Sequence, residues 1–269
     1  MLPATTEARI HYTLRIAAAM CFFGHGAFGM ITKPIWANYF HVFGIGHDLA
    51  YQLMPLLGSL DILFGIILLI YPLRIVPAWL VCWGIVTALL RPLSGEPPAE
   101  FLERAGNFGA PLTLLLLAGR PSGWRDWFAR MKPFRIASEQ TWDQVIWCLR
   151  IVIFLLLLGH GWLNLIDKKG LISQYGTMGF SHPGYIAQSV GVLELTLALL
   201  VLVRPHRHFL LVLLLWKMTS ELFYPHYEFL EWIERGGSYG VILALCFALG
   251  RFPSVEAPPT LEFQQPVGQ

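Results

Sequence analysis

Residues 14–33 read LRIAAAMCFFGHGAFGMITK, and 135 residues later, at 149–168, the chain reads LRIVIFLLLLGHGWLNLIDK. Leu14-Arg15-Ile16, Gly24-His25-Gly26 and Lys33 return at identical spacing as Leu149-Arg150-Ile151, Gly159-His160-Gly161 and Lys168. Matches at one fixed distance mark a duplicated unit. Both copies kept the charged and imidazole positions, so these residues belong to the design of the unit. The repeat continues outward: His47 aligns with His182, Gly58 with Gly191, Asp61 with Glu194 and Trp83 with Trp216. Near the end of each unit, Glu100, Glu103, Arg104, Gly106, Phe108 and Gly109 match Glu231, Glu234, Arg235, Gly237, Tyr239 and Gly240.

Hydrophobic residues make up 55% of the chain and charged residues 13%, with a mean hydropathy of +0.56. A soluble domain carries about 25% charged residues, so the composition predicts an all-α, polytopic integral membrane protein. The net charge of +2 is too small to suggest a nucleic-acid partner. The four cysteines, Cys21, Cys82, Cys148 and Cys246, lie in apolar segments without a CxxC pair and read as buried free thiols. Arg9 and Arg15 ahead of the apolar Ile16 to Phe23 mimic a signal peptide. The same helix recurs at Leu149, where no signal acts, so the first segment is read as a permanent helix.

Eight apolar segments are predicted as transmembrane helices, at about 10–31, 49–71, 75–91, 104–119, 143–166, 186–203, 207–224 and 236–250. They divide into two tandem four-helix bundles: a first unit at 1–119, a basic linker at 120–142, a second unit at 143–252 and a Pro-rich, disordered tail at 253–269. An even number of spans per unit makes the two bundles parallel, related by an axis along the membrane normal. Basic residues gather at one set of ends: Arg9, Arg15, Arg74, the linker arginines, Arg150, Arg204, Arg207 and Arg251. The opposite ends carry Lys33, Lys168, Lys169, Arg104 and Arg235, offset by Glu96, Glu100, Glu103, Glu231 and Glu234. The positive-inside rule then places both termini and the linker in the cytoplasm of a bacterial-type inner membrane.

At ~1.5 Å per residue, His25 lies roughly 15 Å beyond Arg15, about mid-depth, and His160 lies equally far beyond Arg150. Asp61 and Glu194 fall near the same level. Lys217 joins them, with Glu221 one turn on along the same helix face; the first unit has Gly84 and Ala88 there. Ionisable groups at that depth are costly and point to function. His160, Glu194, Lys217 and Glu221 can neutralise one another, relay protons or hold a polar headgroup. The alternative is interhelical hydrogen bonding alone. Gly24, Gly26, Gly159 and Gly161 permit either close helix packing or a ligand lying over that face. Trp216 and His226, with Tyr224, Tyr227 and Trp232, belong to the rim of such a site or to an interfacial aromatic belt. His25 and His160 facing each other across the axis would also suit a single haem, although no CxxCH accompanies them. His47 and His182 read as exposed loop residues, with metal binding by matched outer-side histidines as the alternative; no metal site is assigned.

These residues resemble the DoxX-like (DoxX/DoxD) membrane proteins. The matching positions are His25-Gly26 with Lys33 and Gly58 with Asp61 in the first unit. In the second they are His160-Gly161 with Lys168 and Gly191 with Glu194. The resemblance covers most of the chain, as two tandem copies; Asp61 departs from the glutamate of the pattern, and Lys217/Glu221 lie outside it. It implies a membrane redox-associated protein that works with a quinone and with membrane or redox protein partners. The leading expectation is therefore a possible oxidoreductase subunit with quinone at the second-unit cluster. There His160 or Lys217 would donate to a quinone oxygen and Glu194 or Glu221 would carry the proton. His25 and Asp61 would be the matching ligand contacts of the first unit. A non-catalytic structural or assembly subunit, and a carrier of a small solute or proton, are the alternatives.

Overall fold

The computed structural model describes residues 5–133, 137–224 and 228–250. Among these residues the fold is all-helical, with no strand and a single isolated bridge between Leu73 and Arg130. His226, Arg135, Tyr227 and the Pro-rich tail lie outside the described residues.

The two repeated stretches occupy two long helices that begin and end alike. α1 (Thr6–Met30) starts where the Thr5 hydroxyl accepts from the Ala8 N–H at 3.2 Å; α7 (Glu139–Leu165) starts where Ser138 accepts from the Thr141 N–H at 3.2 Å. Each side-chain oxygen satisfies an N–H that the helix itself leaves without a partner. Both helices stop in a left-handed residue, Thr32 (φ 52°) and Asp167 (φ 54°). There the Lys33 N–H reaches back to the Phe28 carbonyl, and the Lys168 N–H to that of Leu163.

The rest of each copy follows in the same order. α2 (Trp36–His41), α3 (His47–Ile70), α4 (Ile75–Leu93), α5 (Ala99–Glu103) and α6 (Ala105–Ala118) complete the first. After a linker containing a 3-10 turn at Trp124–Phe128, the second adds α8 (Lys169–Thr177), α9 (Pro183–Val203), α10 (Arg207–Ser220), α11 (Glu228–Glu234) and α12 (Gly236–Ala248). α3, α4, α7 and α9 are long and apolar enough to cross a membrane. The segment anticipated at 104–119 is not continuous with the turn before it: the helix breaks at Arg104, and its counterpart breaks at Arg235. The segment anticipated at 207–224 leaves the α-helix at Ser220 and closes in a 3-10 turn, Glu221–Phe223.

The copies share one core. A single cluster joins Leu14 and Phe22 of α1, Leu114 of α6, Leu149 and Ile153 of α7, and Val241 and Leu245 of α12. α1 packs against its own α3 but also along α12, and α7 against α9 and the α5–α6 pair. Each copy thus lays its last helix on the first helix of the other. The approach needs absent side chains. A Cβ on Gly106 would lie 2.6 Å from the Ser238 nitrogen, and one on Gly24 or Gly159 would enter the backbone of Glu234 or Glu103. Within each copy, Gly26 faces the Gly58 carbonyl and Gly161 the Gly191 carbonyl.

Arg15 and Arg150 do more than mark a membrane side. The Arg15 Nε donates to the Leu68 carbonyl at 2.6 Å and its Nη2 to that of Leu69; Arg150 serves Val201, Leu202 and Val203 in the same way. A guanidinium on the last carbonyls of α3 and of α9 supplies partners those carbonyls lack and opposes the negative helix end. Outward faces are apolar and exposed, as at Leu56, Leu63, Val203 and Leu215. One thiol departs from expectation: Cys82 is exposed on α4, whereas Cys21 and Cys246 are buried and Cys148 is half-buried.

Candidate functional site

The crossing of α1 on α3 brings His25 Nδ1 within 2.6 Å of Asp61 Oδ2, and the crossing of α7 on α9 brings His160 Nδ1 within 2.5 Å of Glu194 Oε2. Both pairs sit directly beside the glycine contacts Gly26–Gly58 and Gly161–Gly191. The glycines let the backbones approach, and the approach brings imidazole and carboxylate together. Gly24, Gly26, Gly159 and Gly161 are all points of helix contact. Among the described residues no group of three or more His, Cys, Asp or Glu is arranged to hold a metal ion.

Around these pairs the copies diverge. In the second, Lys217 Nζ lies 3.1 Å from Glu221 Oε1 and 3.7 Å from Glu194 Oε1. Asn164 donates to the His160 carbonyl at 3.1 Å and accepts from the Tyr175 hydroxyl at 3.0 Å, while Tyr239 donates to Glu221. His160, Glu194, Lys217 and Glu221 are all buried. The void that reaches Lys217 and Glu221 has a volume of about 10 Å³, room for one water at most. Trp216 is half-buried and packs beside Ala99, Leu163 and Tyr175.

In the first copy Gly84 and Ala88 stand where Lys217 and Glu221 stand in the second. Gly84, packed against Phe108 of α6, lies on the wall of a cavity of about 460 Å³. Its wall is largely aromatic and aliphatic (Trp36, Tyr39, Phe40, Phe43 and Trp83 among others), with His25, Asn107, Arg91, Arg104 and Glu234 as the polar part. The His25 ring lies over Trp36 at 4.4 Å and edge-on to Trp83 at 6.3 Å. A mostly apolar pocket of this size with a few convergent polar groups is the usual form of a small-molecule site.

A shared ion network covers both sites at the end opposite Arg15 and Arg150. Lys33 pairs with Glu231 at 2.5 Å and Lys168 with Glu100 at 2.8 Å, so each copy's lysine crosses to the other copy. Arg104 holds Glu100 at 2.7 Å and Glu103 at 3.2 Å; Arg235 lies 3.5 Å from Glu103 and 3.6 Å from Glu221. Burial alone would lower the Lys168 pKa; Glu103, Tyr224 and Glu100 keep it above its ordinary value.

Reading these carboxylates from sequence as charges of the outer loops understated them. Glu100, Glu103, Glu231 and Glu234 are buried, because the fourth helix of each copy breaks at Arg104 and Arg235 inside the interface. The signal was present in the exact pairing of Glu100-Glu103-Arg104 with Glu231-Glu234-Arg235, which a loop has no reason to keep. His47 and His182 are exposed, as anticipated. No known family model, curated protein or solved structure matches the chain.

Proposed function

We propose that this is a DoxX-like double unit in a bacterial-type inner membrane, binding a quinone or a similar lipophilic ring molecule and working with membrane redox partners. Eight spans are consistent with the lengths. α5 with α6 covers 99–118, α11 with α12 covers 228–248, and α10 with its 3-10 turn covers 207–223, each close to the ~20 residues a bilayer core requires. The excess of arginine at the linker side supports cytoplasmic termini. Fourth helices interrupted at equivalent places in both halves are the pattern in which a membrane protein builds a binding site between repeats.

The observation that carries the reading is the cavity over Gly84, with the His25–Asp61 pair in its neighbourhood. It moves the binding step from the second-copy cluster to the first copy. His25 can exchange a hydrogen bond with a ring oxygen, and Asp61 fixes the ring's orientation. Electrons would pass between the bound molecule and a redox partner; the chain's residues bind, orient and hold protons. A haem between His25 and His160 has less in its favour, because His160 is buried against Glu194 and does not line the cavity that His25 lines. The closed second-copy cluster favours a structural role for that half, which is the surviving form of the assembly-subunit alternative.

The test is quenching of tryptophan fluorescence by a short-chain quinone, with the protein in lipid nanodiscs. Thr87→Phe, on the cavity wall, narrows the cavity and should weaken binding at least about tenfold, as expected when a ligand's apolar contacts are displaced. Glu194→Gln, in the buried cluster of the second copy, should leave affinity near wild type. Equal affinity in Thr87→Phe and wild type would overturn the assignment.

A further inference from the structure

The second copy contributes one group to the cavity of the first. Glu234, at the end of α11, lines it and is 6% exposed. The Glu234 backbone rests on Gly24, the residue before His25, which brings the carboxylate to the same wall as the imidazole. Its repeat equivalent, Glu103, is held by Arg104, Lys168 and Arg235 at 3.2, 3.6 and 3.5 Å. Among the described residues no ion pair or hydrogen bond holds the Glu234 carboxylate.

The cause of this asymmetry lies in the extra pair of the second copy. Arg235, the cation adjacent to Glu234 in sequence, turns toward Glu221 and Glu103 and stands 3.9 Å from Glu231. Lys33 is taken by Glu231 and Arg104 by Glu100 and Glu103. The first copy has Ala88 where the second has Glu221, so nothing draws Arg104 away from Glu103 in the equivalent manner.

His25 complements Glu234. A carboxylate only accepts hydrogen bonds, so Asp61 fixes the hydrogen on Nδ1 and leaves the Nε2 lone pair of the neutral ring for other partners. Arg91 and Arg104 are already engaged by Glu96, Glu100 and Glu103. The Tyr39 and Thr87 hydroxyls donate to Glu96 and to the Trp83 carbonyl. The Trp83 indole N–H is buried without a partner. Besides the Asn107 amide oxygen, the wall therefore offers two acceptors, Glu234 and His25 Nε2, facing the donors of Trp83 and Asn107 and the N–H groups that Arg91 and Arg104 keep beyond their Nη1 contacts.

We propose that the cavity is specific for a hydroxyl-bearing ring molecule, a hydroquinone in preference to its quinone, with Glu234 and His25 Nε2 as the acceptors that select it. The ring hydroxyl donates to one of these acceptors and still accepts from Trp83 or Asn107. A carbonyl oxygen brings no hydrogen and leaves both acceptors without a donor inside an apolar wall, which costs binding. No electron transfer enters this step. It rests on the cavity reading above and assigns Glu234 as its specificity-determining residue.

The experiment titrates nanodisc-embedded full-length protein with a decyl hydroquinone, the matching quinone and the hydroquinone dimethyl ether, under anaerobic conditions, by tryptophan quenching. Wild type should prefer the hydroquinone over the other two by about tenfold or more, the scale of a lost hydrogen bond to a charged group. Glu234→Ala should bring the three affinities within about twofold by weakening the hydroquinone while the quinone is unchanged. Wild-type protein is informative even if that variant fails to fold. Equal binding of all three ligands by wild type overturns the preference and leaves the cavity reading standing. Binding of none overturns the cavity reading, and this inference with it. A preference that persists in folded Glu234→Ala removes Glu234 from the site.

Discussion

The two halves repeat one pattern, and the helix that carries Gly84 and Ala88 in the first carries Lys217 and Glu221 in the second. A cavity of about 460 Å³ lies beside His25 in the first copy; the void that reaches Lys217 and Glu221 lies between the copies and is about 10 Å³. The histidine–carboxylate pair itself survives in both, at 2.6 and 2.5 Å. The pair is therefore a property of the helix crossing, whereas access to it is decided on the neighbouring helix. Charge follows space. Glu221 draws Arg235 toward the second copy, and Glu234 is left facing the first copy's cavity.

The harshest way to break the comparison is Lys217→Ala. Among the described residues it removes the one lysine or arginine within 4 Å of Glu194, and one of two beside Glu221. Stripping one partner from a buried ion pair costs about 3–5 kcal/mol, so thermal unfolding in detergent should drop sharply or the protein should fail to purify. Lys217→Met with Glu221→Gln should recover much of the loss, because an apolar or neutral pair of similar size avoids the stranded charge. Equal stability of Lys217→Ala and wild type would show that the second cluster is not a closed, mutually neutralised unit.

A smaller effect tests where the halves remain equivalent. Glu231 and Glu100 hold matching cross-copy pairs with Lys33 and Lys168. Lys168, beyond the end of α7, titrates above its ordinary value, so its contribution is complete below about pH 10.4 and is lost on further rise. Melting temperature should therefore hold up to about pH 10 and fall above it. Glu231→Gln and Glu100→Gln should each lower the melting temperature to a similar degree. A large difference between those two variants would break the equivalence of the two cross-copy pairs.

The smallest effect concerns the turns after α1 and α7. A β-branched threonine at φ 52° is more strained than an aspartate at φ 54°. Thr32→Gly should stabilise the protein by about 1 kcal/mol, and Asp167→Gly by less, as read from paired thermal melts. The opposite ranking would place the strain elsewhere in the two turns.

Much of this organisation was legible from residues 14–33 and 149–168 alone. Fixed spacing of arginine, histidine and lysine identified the repeat, apolar length predicted the helices, and depth counting brought His25 to Asp61 and His160 to Glu194. These are local or periodic properties: a helix places residues along its axis by number, whatever surrounds it. Tertiary structure decided the rest. The sequence does not show that each copy's last helix lies on the other copy's first, because the glycines that permit it, such as Gly24 and Gly106, suit many close contacts equally well. The matched Glu-Glu-Arg runs mark Glu231 and Glu234 as part of the unit, but their burial and their partners across the two copies come only from the packing. The cavity was least visible of all. Gly84 reads as an unremarkable small residue in an apolar helix, and only the packing of α4 against its neighbours shows a volume beside it.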